Sequence, residues 1–196
     1  MTPVMAVIAG PNGAGKSTLY NYRVAPHFKA PFINADLIQR DELKDASVEA
    51  AYHAAELAAA RRTDYIRDGQ SFITETVFSH PSKLTLLEAA LSAGFEVMLF
   101  HVGVDDPELA VERVKNRVLE GGHPVPEKKI RERFDRNTDL IRQAIRMSHT
   151  GFVFDNSALN RPPELVIEFS RGSQRWVASE LPAWVQWFYR DFIKRP

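Results

Sequence analysis

Nine consecutive residues decide the fold of this chain: Gly10-Pro11-Asn12-Gly13-Ala14-Gly15-Lys16-Ser17-Thr18. They match the pattern G-x-x-x-x-G-K-[ST] of a phosphate-binding loop in full. The apolar run Val4–Ala9 before them is typical of a buried parallel strand, and residues 16–20 can begin a helix. Because strand, loop and helix follow in the required order, we interpret the stretch as a nucleoside triphosphate site. The alternative is a glycine-rich turn that binds nothing.

Each part of such a loop has a chemical role. Glycines let the backbone N–H groups turn toward phosphate oxygens, and the first amides of the following helix carry uncompensated partial positive charge. Lys16 is expected to reach the β- and γ-phosphates, and the Ser17 hydroxyl to bind Mg²⁺. The loop alone does not show whether the γ-phosphate is transferred to an acceptor or released by hydrolysis.

Composition limits the kinds of partner. The 196 residues predict a single domain over residues 1–196. Lys+Arg and Asp+Glu are both 25, so no net charge favours nucleic acid or an anionic membrane. There is no cysteine, the first core strand begins almost at residue 1, and the longest apolar runs are strand-sized. We therefore expect a cytoplasmic protein without a leader or a membrane span.

Apolar stretches and helical patterns alternate along the chain, which predicts an α/β fold with a doubly wound, mainly parallel five-stranded sheet. The expected strands are residues 4–9, 31–34, 71–74, 95–104 and 152–154. Residues 47–68 predict a long alanine-rich helix, with Ala51, Tyr52, Ala55, Ala59, Arg62 and Ile66 on its packed side. Residues 164–194 predict a small hairpin with its turn at Gly172, followed by an apolar helix that packs on the core or, alternatively, against a second copy.

Acidic residues follow two of the predicted strands. Ligands of open parallel sheets bind outside the carboxyl ends of the strands, so Asp36 and Glu75 are expected near the mouth of the phosphate loop. Asp36 is either a functional carboxylate or a helix N-cap. Glu75 either holds Mg²⁺ through water or orients the acceptor, the alternative being a structural salt bridge. Thr76 in the same segment is a candidate contact of the acceptor.

Residues 107–147 predict a helical hairpin rich in arginine. Arg113 and Arg117 are four residues apart and therefore share one helix face, and Arg133 follows in the second helix. Gly121 and Gly122 lie between the two helices and suit a hinge. We interpret the hairpin as a lid whose arginines neutralise phosphate charge, the alternative being two exposed helices with salt bridges.

The motifs of this chain, taken in their order along the sequence, resemble those of the zeta toxin family of small P-loop kinases. The resemblance covers residues 4–157 and is carried by GPNGAGKST, INAD ending in Asp36, TET with Glu75, ERVKNRVLEGGHPVP, and FDNS at 154–157. It implies that Lys16 and Ser17 serve ATP and Mg²⁺, that Asp36 is the catalytic base, that Glu75 helps arrange the substrate, and that the lid arginines bind phosphate.

The predicted functional residues fall into three groups. Catalysis is expected to involve Asp36, Lys16 and Arg117, and the acceptor to contact Asp36, Glu75 and Thr76. The nucleotide is expected to contact the phosphate loop, Arg113, Arg117, Arg133 and Asn156. Asn156 is included because it follows the last parallel strand, where a contact on the adenine side is expected.

The resemblance also implies a substrate and a partner. Members of the family phosphorylate UDP-N-acetylglucosamine, so we expect a kinase that acts on a hydroxyl of a small molecule, with this sugar nucleotide as the leading acceptor and an antitoxin protein as a partner. Two other functions stay open: a nucleoside or polynucleotide 5′-hydroxyl kinase, and a nucleotide-dependent switch with a protein partner. The net charge of zero counts against a polynucleotide as the substrate. The carboxylate of Asp36 near the strand end favours a kinase over a switch, because a switch needs no acceptor base.

Overall fold

A computed structural model of the chain describes residues 2–119 and 125–193. Its centre is a sheet with the strand order β2-β3-β1-β4-β5-β6-β7. The strands are β1 (Val4–Ala9), β2 (Phe32–Ile33), β3 (Phe72–Thr76), β4 (Glu96–Gly103), β5 (Thr150–Asp155), β6 (Glu164–Ser170) and β7 (Ser173–Val177). The first five strands are parallel to their neighbours, whereas β6 and β7 are antiparallel. The predicted α/β fold is thereby confirmed.

Helices cover both faces of the sheet. They are α1 (Lys16–Leu19), which continues as a π-helical turn (Tyr20–Val24), α2 (Ala35–Leu37), which continues likewise (Ile38–Leu43), α3 (Val48–Arg67), α4 (Ser82–Ser92), α5 (Pro107–Leu119), α6 (Glu127–Met147) and α7 (Ala183–Phe188). α1 packs on the face that carries Ala6, Val102 and Phe154. Residues of α3, α4, α6 and α7 pack on the opposite face, against Val7 and Leu99. Within the described ranges no helix is both long and apolar enough to cross a membrane.

The predicted lid elements α5 and α6 share an apolar cluster of their own. Val111 and Val114 of α5 pack with Ile130 and Phe134 of α6, apart from the main core. The predicted hinge at Gly121 and Gly122 lies outside the described residues. The movement of this hairpin as a lid therefore stays a prediction.

Two details of the fold differ from the prediction. The C-terminal hairpin pairs with β5, so the sheet has seven strands rather than five. The packed side of α3 is formed by Ala50, Ala54, Ala58 and Arg62, while Tyr52 is 68% exposed. The predicted alanines were thus displaced by one residue, which on an α-helix is a rotation of about 100°.

Candidate active site

Two glycines of the phosphate loop have a backbone conformation and surroundings that exclude a side chain. Gly13 and Gly15 have φ values of 81° and 92°, in the left-handed region where a side chain is strained. A Cβ on Gly13 would stand 2.2 Å from the carbonyl oxygen of Ala110, and one on Gly15 would stand 2.1 Å from Nδ2 of Asn156. The loop is therefore packed directly between α5 and the loop after β5.

Asn156 and Arg113 support the phosphate loop from behind. Asn156 is buried and donates from Nδ2 to the carbonyl oxygen of Ala14 at 2.8 Å. Arg113 in turn donates to the carbonyl oxygen of Asn156, also at 2.8 Å, and burial lowers the pKa of its guanidinium. These contacts hold the loop in shape. That either residue also touches a nucleotide stays a prediction.

Lys16 lies inside the loop and is 8% exposed. Its Nζ donates to the carbonyl oxygen of Pro11 at 3.1 Å and lies 3.9 Å from Oε1 of Glu75. Burial lowers the pKa of Lys16, while the negative charges of Glu75 and Asp36 act in the opposite direction. The three residues predicted from separate segments, Lys16, Asp36 and Glu75, are thus brought to one place.

Glu75 is the centre of the hydrogen bonds at this place. Its Oε2 accepts from Ser17 Oγ at 3.3 Å and from Asn34 Nδ2 at 3.1 Å. Burial raises the pKa of Glu75, and the Lys16 charge opposes that shift. A hydroxyl and a carboxylate within hydrogen-bond distance form the all-oxygen donor set that Mg²⁺ prefers, so Ser17 and Glu75 fit the metal predicted for them.

Asn34, which the sequence analysis did not single out, caps the helix that carries Asp36. Its Oδ1 accepts from the backbone N–H groups of Asp36 at 2.8 Å and Leu37 at 3.3 Å. The interpretation of Asp36 as the N-cap is therefore wrong, because the cap lies two residues earlier. The Asp36 side chain is exposed in the first turn of α2, and among the described contacts it makes no hydrogen bond within that turn.

The lid arginines divide into two kinds. Arg133 of α6 donates to Oδ1 of Asn12 in the phosphate loop at 3.1 Å, and Arg117 of α5 is close enough to lower the pKa of both Lys16 and Glu75. Arg131 is paired with Glu108 and Glu127 on the outside of the hairpin. Salt-bridged exposed positions and loop-facing positions therefore coexist on the same two helices.

Thr76 has a structural contact at the end of β3. Its Oγ1 accepts a hydrogen bond from the backbone N–H of Phe78 at 3.1 Å, and Phe78 has a φ of 59°. The hydroxyl stabilises this turn, and a contact with an acceptor stays a prediction. Among the residues that the structure describes, no group of three or more His, Cys, Asp and Glu side chains is arranged to hold a metal ion.

A family model for zeta toxins matches residues 1–161. The chain belongs to the zeta toxin family. A search among proteins with curated descriptions finds no significant match.

Several solved structures resemble the fold of this chain over most of its length. The PezAT chromosomal toxin–antitoxin system of Streptococcus pneumoniae matches with 16% identity and a TM-score of 0.62, over 85% of this chain and 72% of the other. The AvrRxo1-ORF1:-ORF2 complex with ATP matches with 15% identity and a TM-score of 0.70, over 97% and 63%. A putative kinase of Chloroflexus aurantiacus matches with 20% identity and a TM-score of 0.54, over 69% and 79%.

The family and the site together make this chain a P-loop kinase. Phosphoryl transfer requires little covalent chemistry from the protein and depends on positioning and on neutralising charge. In this chain a buried lysine with two nearby arginines lies at the mouth of the loop, together with an acidic pair, Asp36 and Glu75.

Proposed function

We propose that this zeta toxin family kinase transfers the γ-phosphoryl group of ATP to a hydroxyl of a small molecule, with Asp36 as the general base. The observation that carries the proposal is the pairing of Asn34 and Asp36. Asn34 supplies the cap of α2, so the Asp36 carboxylate has no capping contact to make and lies exposed beside Lys16 and Glu75. An uncommitted carboxylate next to a phosphate loop is suited to accept a proton from an acceptor hydroxyl.

The reaction consists of one displacement. The acceptor hydroxyl attacks the γ-phosphorus, its proton passes to Asp36, a new oxygen–phosphorus bond forms, and the bond to the β-phosphate oxygen breaks to release ADP. Lys16 would leave the Pro11 carbonyl oxygen for the β- and γ-phosphates, where Arg117 and Arg133 neutralise charge from the lid side.

Ser17 and Glu75 would hold Mg²⁺. The ion, when bound, supplies charge neutralisation on the phosphate oxygens. Glu75 would meet it directly or through water, and its hydrogen bond from Asn34 would keep the carboxylate turned toward the loop.

UDP-N-acetylglucosamine is the acceptor that we propose to test first, on the strength of family membership. The proposal also includes an antitoxin partner and a cytoplasmic location. The similar structure from Streptococcus pneumoniae is that of a toxin–antitoxin system, which supports looking for a neutralising protein.

The test compares Asp36→Asn with a matched acidic control. Turnover of ATP is measured with a panel of hydroxyl compounds that includes UDP-N-acetylglucosamine, nucleosides and a 5′-hydroxyl oligonucleotide, and mass spectrometry identifies the phosphorylated product. Asp36→Asn should keep ATP affinity and thermal stability and lose at least about a hundredfold in acceptor phosphorylation, because asparagine cannot take up the proton.

Asp41→Asn is the control. Asp41 is exposed in the continuation of the same helix and pairs with its neighbour Arg40, so its loss should leave turnover within about twofold. A stable, ATP-binding Asp36→Asn protein with normal turnover would exclude the base. Phosphorylation of another compound, with none on UDP-N-acetylglucosamine, would remove only that acceptor.

A further inference from the structure

A cavity of about 260 Å³ lies beside the phosphate loop, between the lid helix α6 and the C-terminal helix α7. Pro11 forms part of its wall, and the same residue's carbonyl oxygen accepts the hydrogen bond from Lys16. The cavity is therefore separated from the phosphate-binding lysine by one residue of the loop. A cavity of about 150 Å³ holds a benzene molecule, so this one has room for a single ring with substituents.

Of the described residues that line the cavity, five of eleven carry aromatic rings. Phe134 of α6 and Trp184, Trp187 and Phe188 of α7 contribute to it, with His101 of β4 at its base. Trp187 is 59% exposed, whereas Phe188 is 6% exposed, so the aromatic surface extends from the interior to the solvent. Flat aromatic side chains of this kind favour a planar ring, which can stack on them or meet them edge to face.

Asn137, Thr138 and Asp105 bring polar side chains to the cavity, and of these three Asn137 is the buried one. It lies on α6 one turn after Arg133, lines the cavity, and is 2% exposed. Among the described residues its Nδ2 is the buried side-chain nitrogen without a hydrogen-bond partner. A buried donor left unpaired destabilises the protein, and a bound group that accepts its hydrogen bond would remove that cost.

The charges around the cavity disfavour an anion. His101 donates or accepts at the Tyr189 hydroxyl over 2.7 Å, and burial lowers its pKa to about 3, so it is neutral at physiological pH. Asp105, a carboxylate in the lining, is exposed and lies 3.4 Å from the backbone N–H of Trp184. Within the part of the chain that the structure describes, no lysine or arginine contributes to the lining. A phosphate group would find no counter-charge on these walls.

The cavity is not on the side where the nucleoside of ATP is expected. His101 and the aromatic residues of α7 pack on the sheet face opposite to α1, whereas Asn156 contacts the loop at Ala14, next to the start of α1. The α7 wall also lies beyond residues 1–161, the part of the chain that the family model matches. Family membership therefore does not assign this cavity.

We propose that the cavity binds a neutral planar ring of the acceptor, one whose carbonyl oxygen or ring nitrogen accepts a hydrogen bond from Asn137. This assignment rests on the proposed function, since it makes the cavity the acceptor's specificity subsite. The ring would be anchored under α6 while the rest of the acceptor extends past Pro11 toward Lys16 and Asp36. Because Arg133 and Asn137 lie on one face of α6, ring binding and phosphate binding engage the same lid helix.

The experiment measures binding of free rings by ligand-observed NMR, without any nucleotide. The probes are uracil, adenine and nicotinamide, with benzene as a ring that cannot accept the hydrogen bond. At least one probe should bind saturably and benzene should bind more weakly. Asn137→Leu should weaken that probe by roughly fivefold or more, the effect of losing one hydrogen bond. Trp187→Leu should weaken it too, whereas Trp176→Leu, an exposed tryptophan on β7 outside the cavity, should not.

Thermal stability separates a binding role of Asn137 from a structural one. Asn137→Leu removes an unpaired buried donor, so the variant should be at least as stable as the parent. A large loss of stability, failure of all three probes to bind, or binding that both variants leave unchanged would overturn the proposal.

Competition decides whether the ring belongs to the acceptor. The probe that binds should raise the KM of the acceptor found in the activity screen and leave kcat unchanged. A probe that binds in the cavity without competing would overturn the assignment to the acceptor. Failure of the proposed kinase reaction would appear differently, as an absence of any phosphorylated product while the rings still bind.

Discussion

Replacing Asn34 tests the hydrogen-bond network at the heart of the site without any assumption about the substrate. Asn34 is buried, caps α2 through Oδ1, and donates from Nδ2 to Glu75, a residue 41 positions away in the sequence. It thus combines an acceptor and a donor function in one side chain. Two substitutions separate these functions.

Asn34→Ala removes both functions at every pH. Loss of an N-cap costs about 1 kcal/mol, and loss of a hydrogen bond to a charged group costs about 1.5–3 kcal/mol. We therefore expect the free energy of unfolding to fall by about 3 kcal/mol. For a domain of this size each kcal/mol corresponds to about 2–4 °C, so the midpoint of thermal unfolding should fall by roughly 6–12 °C.

Asn34→Asp keeps the cap but places a second carboxylate where Nδ2 donated to Glu75 at 3.1 Å. Two ionised carboxylates at that separation repel by about 5 kcal/mol at an effective dielectric constant of about 20. The pair relieves this by holding a proton, which raises one pKa above its ordinary value, in addition to the rise that burial already causes for Glu75. A carboxyl whose pKa is raised by folding binds more protons in the folded state, so the variant gains stability as the pH falls through that raised value.

The variant that is the more stable of the two should therefore differ between high and low pH. At pH 8, Asn34→Asp should be the less stable of the two, and at pH 5 it should be the more stable, because the protonated pair restores a hydrogen bond and the cap is intact. Thermal and urea unfolding of both variants at the two pH values, each referred to the parent protein, measures this directly. If both variants lose the same stability at pH 5 and at pH 8, the contact between Asn34 and Glu75 does not exist and the reasoning fails.

Two further predictions concern the phosphate contacts. Lys16→Ala should abolish turnover, because the site loses the cation that meets the β- and γ-phosphates, and full turnover in a coupled ATP assay would contradict the loop assignment. Arg117→Ala and Arg133→Ala should each slow single-turnover phosphoryl transfer by at least about tenfold while changing ATP affinity less, because these side chains meet charge that develops in the transition state. If both variants stay within a few-fold of the parent in transfer rate, the helical hairpin is structural only.

The position of the site could be predicted from the sequence, because it depends on local backbone geometry and on the direction of the strands. The phosphate loop imposes a strand, a turn and a helix on its surroundings, and the carboxyl ends of parallel strands meet at one edge of the sheet. The sequence alone therefore predicts that Asp36 and Glu75 lie near Lys16, and the electrostatic coupling of the three residues agrees with that prediction.

The orientation of α3 could not be predicted because its sequence gives little contrast between sides. Alanines occur all around the helix, so a stripe through Ala51 and Ala55 is as apolar as the one through Ala50 and Ala54 that is buried. Only the sheet beneath the helix decides between them. Arg62, which was predicted on the packed side together with the displaced alanines, is buried there.

Contacts between segments that are distant in the sequence were the second feature that could not be predicted. The INAD segment contains two residues that can cap a helix, and which of them does so depends on where α2 begins. The partner of Asn34 in β3 and the cavity between α6 and α7 arise from tertiary packing. For Asn137 the sequence offered no signal, since an asparagine within a charged helix is ordinarily a solvent-exposed residue.

A single carboxylate links the two ends of the site. Glu75 accepts one hydrogen bond from Ser17 of the phosphate-loop motif. It accepts another from Asn34, which caps the helix that carries Asp36. The helix that carries Asp36 is therefore connected to the phosphate loop through Glu75. The same carboxylate faces Lys16 at 3.9 Å, so its charge balances the lysine before phosphates arrive. In the proposed reaction, phosphates that draw Lys16 away would free Oε1 of Glu75, the oxygen that faces the lysine, for the metal ion or the acceptor.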